Sequence, residues 1–148
     1  MFSGVHAYTM DAKGRVSIPA PFRDHLLNDP RIVLAPFKIA GNPCLDARTS
    51  AEWQGLLKQL TEMGQFGDDA LKFEVGYIGR AHWCDIDSAG RVLVPPMLRA
   101  YAELKKDVVF LGQVGKFRLF SDEMWTKTES HIEAMPGSVL SPYPGIRL

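Results

Sequence analysis

The sequence has little cysteine and no long apolar run. Only Cys44 and Cys84 are present among 148 residues, and their spacing is not that of a metal-binding pair. We expect both to be reduced and buried as small apolar side chains, as is usual in a cytoplasmic protein. No stretch approaches the ~18 consecutive apolar residues of a membrane span, and a secretory leader is not evident. The sequence therefore predicts a soluble, intracellular protein with no membrane partner.

An excess of charge and the common catalytic motifs are also missing. Lys and Arg together number 17, as do Asp and Glu, so the formal net charge is zero. A nucleic acid would have to be bound through local charge. Phosphate-binding loops and nucleophile motifs do not occur. His82 and Cys84 fall on one face of a strand and Asp85 and Asp87 on the other, so the four side chains do not converge on one metal. We expect no enzyme activity, cofactor, metal or small-molecule substrate.

The sequence does contain an internal repeat. The stretch "DAKGRVSIPAPFR" (residues 11–23) returns 76 positions later as "DSAGRVLVPPMLR" (residues 87–99). Weaker similarity follows in two apolar segments and in the helix starts "TSAEW" and "SDEMW". A match of this length indicates a tandem duplication. The identical pairs are Asp11 and Asp87, Gly14 and Gly90, Arg15 and Arg91, Val16 and Val92, Pro19 and Pro95, and Arg23 and Arg99.

Each copy has the pattern of a hairpin turn that leads into a short helix. An alternating strand ends at the aspartate, which caps its own turn, and the glycine three residues later supplies the positive φ that closes a short hairpin. A proline ends the return strand because it cannot donate to a ladder. A short helix, two further strands and a longer helix follow, with Thr49 or Ser121 as the N-cap of the longer helix. The predicted class is α+β, mainly β.

One such unit is too small to bury two faces of its own strands. We expect the two copies to pair about a pseudo-twofold axis and to interlock their hairpins. The predicted domains are residues 5–51, with the helix 50–63 appended, and residues 81–124, with the helix 122–135 appended. Residues 64–72, rich in Gly and Asp, are the expected connector, and residues 136–148 are the expected mobile tail.

With "MFSG" at the N-terminus and "LRAYAEL" after the second copy, these motifs resemble the MraZ family of bacterial transcription regulators over roughly residues 1–125. The resemblance implies tandem SpoVT/AbrB-like swapped-hairpin domains that form an intramolecular pseudo-dimer, and a ring-shaped homo-oligomer. It also implies binding to double-stranded DNA with short direct repeats upstream of the division and cell wall gene cluster, usually as a repressor. Such a protein would be cytoplasmic and nucleoid-associated. Arg118 departs from the family pattern, in which we expect an acidic residue near "KFRLFSDEMW".

The turns hold the candidate DNA-binding residues. The tip of the first turn is Lys13, whereas the second copy has Ala89 at that position. Only the first turn is therefore doubly basic, and we expect the first copy to face the phosphates of DNA. The predicted DNA-binding residues are Lys13, Arg15, Arg23 and Arg91, and the predicted structural residues are Asp11, Gly14, Asp87, Gly90 and Arg99.

For the arginines two roles stay open. Arg15 and Arg91 follow the turns, where a guanidinium reaches phosphates and guanine edges. The same geometry allows an ion pair with the aspartate of its own turn or of the sister copy. The repeat partner of Arg23 is Arg99, which favours a shared structural role such as a helix-end ion pair over a phosphate contact.

An alternative from another class of function is an oligomeric scaffold that binds a protein partner. In that case the two D-x-x-G-R motifs would be purely structural. The two hypotheses differ in a measurable property, because only the DNA-binding protein should show salt-dependent affinity for DNA.

Overall fold

The structure, a computed structural model, describes residues 1–64, 67–137 and 143–147. Part of the expected mobile tail, residues 138–142 and 148, lies outside the described residues. The predicted α+β, mainly β class is confirmed. The strands are β1 (Val5–Thr9), β2 (Arg15–Ser17), β3 (Arg31–Ile39), β4 (Asn42–Thr49), β5 (His82–Asp85), β6 (Arg91–Leu93), β7 (Asp107–Gln113) and β8 (Lys116–Ser121), and the helices are α1 (Ala20–Arg23), α2 (Ser50–Met63), α3 (Asp68–Gly76), α4 (Pro96–Tyr101) and α5 (Asp122–Glu133). None of the helices described is long and apolar enough to cross a membrane.

The strands form one open antiparallel sheet of six and one of two. In the larger sheet the order is β1-β7-β8-β4-β3-β5, so that β1 of the first copy pairs with β7 of the second, and β5 of the second pairs with β3 of the first. The smaller sheet is β2 with β6, again one strand from each copy. Every junction except β3–β4 and β7–β8 therefore joins the two copies.

The predicted first hairpin of each copy needs correction. The turn closes as expected, with the Asp11 amide donating to the Arg15 carbonyl at 2.9 Å. The strands on either side of it then enter different sheets, and β2 forms its ladder with β6. Burial explains this choice, because the β2–β6 pairing sets Val16 opposite Val92 and leaves them 1% and 0% exposed.

The short and long helices begin as the sequence predicts. Pro19 and Pro95 precede α1 and α4, whose side chains Phe22 and Leu98 are buried. The longer helices start at hydroxyl caps. Thr49 Oγ1 accepts the Glu52 amide at 3.2 Å, and Ser121 Oγ accepts the Met124 amide at 3.0 Å.

Helix α3 occupies most of the segment expected to be a connector. Asp68 and Asp69 lie in its first turn, where carboxylates are favoured by the helix dipole. Phe73 near its end stacks on Tyr77, with ring centroids 5.0 Å apart. The sequence pattern missed this helix because its stabilising contact lies at one end rather than along an apolar stripe.

The main core draws its side chains from both copies. Phe2 packs edge-on against Phe22 and Phe117, with centroids 5.2 and 5.0 Å apart. Cys44 and Cys84 are buried, as expected, and burial raises their thiol pKa values to about 12 and about 11. Residues at equivalent positions of the two copies enter this core in pairs, among them Val16 and Val92, Ile18 and Val94, and Phe22 and Leu98.

Arg118 has an acidic partner on the neighbouring strand. Its Nε donates to Asp46 Oδ1 at 2.5 Å, and the two residues lie opposite each other in the β4–β8 ladder. Tyr77 donates its hydroxyl to the other oxygen of Asp46 at 2.8 Å. Burial raises the pKa of Tyr77 to about 12, which keeps it protonated as a donor. The guanidinium is thus neutralised inside the larger sheet.

Candidate nucleic-acid interface

The first turn is held by the carboxylate of Asp11. Asp11 Oδ1 accepts the amides of Lys13 and Arg15 at 3.0 and 2.9 Å, and Oδ2 accepts Arg15 Nε at 2.7 Å. Gly14 adopts a φ of +90°, which a residue with a side chain rarely adopts. Hydrogen bonding to the carboxylate, with the Arg15 amide as the largest cause, lowers the pKa of Asp11. The carboxylate therefore stays ionised at neutral pH and orients Arg15.

The second turn repeats this geometry. Asp87 Oδ1 accepts the amides of Ala89 and Arg91, both at 2.9 Å, and Oδ2 accepts Arg91 Nε at 3.2 Å. Gly90 has a φ of +78°. The Arg91 amide is again the largest cause of a lowered pKa at Asp87. The two turns thus share one hydrogen-bonding scheme down to the individual oxygens.

The β2–β6 sheet places both motif arginines on one face. In its register Arg15 lies opposite Leu93, and Arg91 lies opposite Ser17. Because side chains alternate along a strand, these four project to the same side, away from the buried valines. The Arg15 and Arg91 side chains are 35% and 39% exposed. The molecule therefore presents a short two-stranded ribbon with two accessible guanidinium groups.

The ion pairs of these arginines lie within their own turns. Arg15 and Arg91 each use Nε for the aspartate of the same copy, and the structure shows no other side-chain hydrogen bond of either among the described residues. A guanidinium has five N–H donors, so the terminal nitrogens remain for another ligand. The two roles considered from the sequence are thus compatible, since the aspartate orients the fork and the fork still faces solvent.

Arg23 and Arg99 lie across the turns of the opposite copy. A Cβ placed on Gly14 would lie 2.6 Å from Arg99 Cζ, and one on Gly90 would lie 2.7 Å from Arg23 Cδ. The expected helix-end ion pair is absent from the described part of the chain, where neither arginine has a carboxylate within 4.0 Å. Arg99 Nε is buried without a hydrogen-bond partner among the residues that the structure describes. Both arginines instead cover a glycine that leaves room for them.

Lys13 is exposed at the tip of the first turn. Two further exposed lysines that the motif analysis missed, Lys105 and Lys106, line the same cavity as Asp11 and Arg99. A comparison of the two copies at the 76-residue offset would have revealed them, because the first copy has Asp29 and Pro30 at the equivalent positions. The exposed Lys13, Lys105 and Lys106 thus lie at one end of the ribbon, where Lys105 and Lys106 also line a second cavity with Glu103 and Asp107.

Comparisons with known proteins bear on what this ribbon does. A family described as "MraZ protein, putative antitoxin-like" matches residues 1–75 and 77–139. The chain belongs to the MraZ family. It is similar to proteins named Transcriptional regulator MraZ from Legionella pneumophila (strain Corby), at 35% identity over 97% of this chain and 95% of that protein, and from Saccharophagus degradans, at 40% over 84% and 85%. A third, from Thiobacillus denitrificans, is 40% identical over 84% of each chain.

Membership of the MraZ family confirms the resemblance drawn from the sequence. Because MraZ relatives are named as transcriptional regulators, it also confirms that the chain is not an enzyme. In the described residues no group of three or more His, Cys, Asp or Glu side chains is placed to hold a metal ion.

Proposed function

We propose that this MraZ-family chain is a sequence-specific DNA-binding regulator that represses transcription from short direct repeats upstream of the division and cell wall gene cluster. The observation that carries the proposal is the exposed β2–β6 face, on which Arg15 and Arg91 are each oriented by an aspartate beside the exposed Lys13. Oriented guanidinium groups on an exposed two-stranded ribbon suit the phosphates and guanine edges of a DNA groove.

The proposed architecture is a pair of AbrB-like swapped-hairpin domains, residues 5–51 and 81–124, that form an intramolecular pseudo-dimer. The exchange of strands supports it, because β1 pairs with β7 and β5 pairs with β3. The glycine carbonyls support it as well. The Ile18 amide donates to the Gly90 carbonyl, and the Val94 amide donates to the Gly14 carbonyl, both at 2.9 Å.

In this proposal the residues of the turns have different tasks. Lys13 and Arg15 contact phosphates and base edges, and Arg91 adds a weaker contact from the second copy. Arg23 contributes charge more than direct contact, since it lies against Gly90. Asp11, Asp87, Gly14, Gly90 and Arg99 keep the two turns in shape.

A ring-shaped homo-oligomer would let a chain of zero net charge bind DNA. The symmetry of the ring would place the same basic end of the ribbon at several evenly spaced repeats of the DNA, and each added contact would raise the overall affinity. Such a protein would act in the cytoplasm in association with the nucleoid.

The test measures DNA affinity of the full chain across a salt series. The probes are a duplex from the region upstream of the division and cell wall gene cluster and a shuffled duplex of equal length. The variant is Lys13→Ala with Arg15→Ala, and the control is Lys58→Ala with Lys127→Ala, which removes two exposed lysines elsewhere. Because each variant chain neutralises two fewer phosphates, the slope of log K against log salt should flatten by about 1.8 for each chain that contacts the duplex.

The control should bind like the parent. If the double variant at the turn binds the upstream duplex as tightly as the parent, the first turn is not the contact. If the parent shows no salt-dependent binding, the scaffold hypothesis is favoured.

A further inference from the structure

The loop between α4 and β7 brings two lysines of the second copy to the turn of the first. The Met10 amide donates to the Lys106 carbonyl at 2.7 Å. This hydrogen bond holds the loop against the residue that precedes Asp11. Lys105 and Lys106 are exposed, and together with Asp11 they line an open cavity. Neither lysine takes part in an ion pair in the described part of the chain. Their charge is therefore available to a ligand outside the chain.

The other end of the ribbon has the same backbone contact with different side chains. There the Ile86 amide donates to the Pro30 carbonyl at 2.8 Å. The position equivalent to Lys105 is Asp29, whose carboxylate binds Arg31 at 2.8 Å. The cavity at this end is lined by Arg23 together with the acidic Asp24 and Asp87.

Three lysines at this end have no lysine at the equivalent positions of the other end, whereas Asp107 stands where the first copy has the basic Arg31. Lysine stands at residues 13, 105 and 106, where the equivalent positions hold alanine, aspartate and proline. The fold does not account for the lysines, because the loop is held through a backbone carbonyl that any residue supplies. Three exposed lysines around one turn match a polyanion such as the phosphate backbone of DNA.

We propose that Lys105 and Lys106 bind phosphates beside those reached by Lys13, so that each chain binds DNA through the end of its β2–β6 ribbon that carries the first turn. This inference rests on the proposed function, and adds a contact that the D-x-x-G-R motif does not contain. It also explains how the second copy contributes to binding although its own turn carries Ala89.

The test compares Lys105→Ala with Lys106→Ala in the full chain against the control Lys58→Ala with Lys127→Ala, on the same upstream duplex. Removing two phosphate-binding charges should flatten the salt slope by about 1.8 for each chain that contacts the duplex, which is about a 30-fold loss of affinity per contacting chain at 0.15 M salt. The variant Lys105→Arg with Lys106→Arg keeps both charges and should keep the parental slope. Thermal unfolding should show all three variants folded, since the loop contact uses main-chain atoms.

The outcomes separate this inference from the proposed function. If the parent does not bind the duplex with salt-dependent affinity, the proposed function fails. If the parent binds, and the Lys13 and Arg15 variant loses affinity while the Lys105 and Lys106 variant binds like the control, this inference alone is overturned.

Discussion

At the scale of single residues, the motif is repeated because its aspartate, glycine and arginines contact one another. The aspartate accepts two amides and one guanidinium, and the glycine leaves space for an arginine from the other copy. Identity between the copies at these positions is therefore what the fold requires. The residues that distinguish the copies, of which Lys13 is one, are exposed and free of this constraint. Function is better sought in the differences.

A glycine outside the motif shows how tightly the N-terminal segment packs. A Cβ on Gly112 would lie 2.5 Å from Ser3 Cα and 2.7 Å from the Phe2 carbonyl carbon, which are backbone atoms that cannot turn aside. We expect Gly112→Ala to lower the free energy of unfolding by about 1–3 kcal/mol. In α2, Gly55 has no described atom within 4 Å of its Cβ position, and Gly55→Ala should raise that free energy by up to about 1 kcal/mol.

Urea unfolding of both variants measures whether the free energy of unfolding falls for Gly112→Ala and rises for Gly55→Ala. Equal effects of the two substitutions would show that the N-terminal segment does not lie against β7 as described.

The turns could be predicted from the sequence and the contacts across them could not. An aspartate followed by a glycine three residues later predicts the Asx hydrogen bonds from local geometry alone. The positions of Arg23 and Arg99 over the opposite turns depend on how the two copies associate, and no local pattern encodes that. The proximity of Lys105 to Asp11 could not be predicted for the same reason, because the two residues are far apart in sequence and close in space.

At the scale of elements, the two copies are held together because strands of one copy pair with strands of the other. The central junction is β4 with β8, where Asp46 and Arg118 form a buried ion pair with side chains 2% and 8% exposed. Helices α2 and α5 were predictable because their hydroxyl caps are local signals. The partner of each short strand was not, since β2 has three residues and pairs according to which valines become buried.

Breaking the buried pair should cost far more than breaking an exposed one. Asp46→Ala leaves Arg118 uncompensated in the sheet and should lower the free energy of unfolding by about 3–5 kcal/mol. Asp29→Ala removes an exposed pair with Arg31 and should lower it by less than about 1 kcal/mol. Chemical denaturation of both variants makes the comparison. Similar losses for the two would mean that Asp46 and Arg118 are hydrated rather than buried.

At the scale of the whole molecule, zero net charge conceals an uneven distribution. One end of the ribbon has Lys13, Arg99, Lys105 and Lys106 around Asp11, with Glu103 and Asp107 in the same loop, and the other has Arg23 with Asp24 and Asp87. Composition could not predict this, because charge counts carry no position. The duplication did contain the information, since equivalent positions of the two copies can be compared once the repeat is aligned.

The most direct test of whether DNA binds at the end of the ribbon that carries the first turn is lysine acetylation. The full chain is acetylated with and without the upstream duplex. Acetylation reports the accessibility of each lysine in one sample, so exposed Lys58 and Lys127 serve as internal controls. We predict that DNA slows the modification of Lys13, Lys105 and Lys106, while the two control lysines react at unchanged rates. Unchanged modification of Lys13 at a DNA concentration that saturates binding would contradict the account.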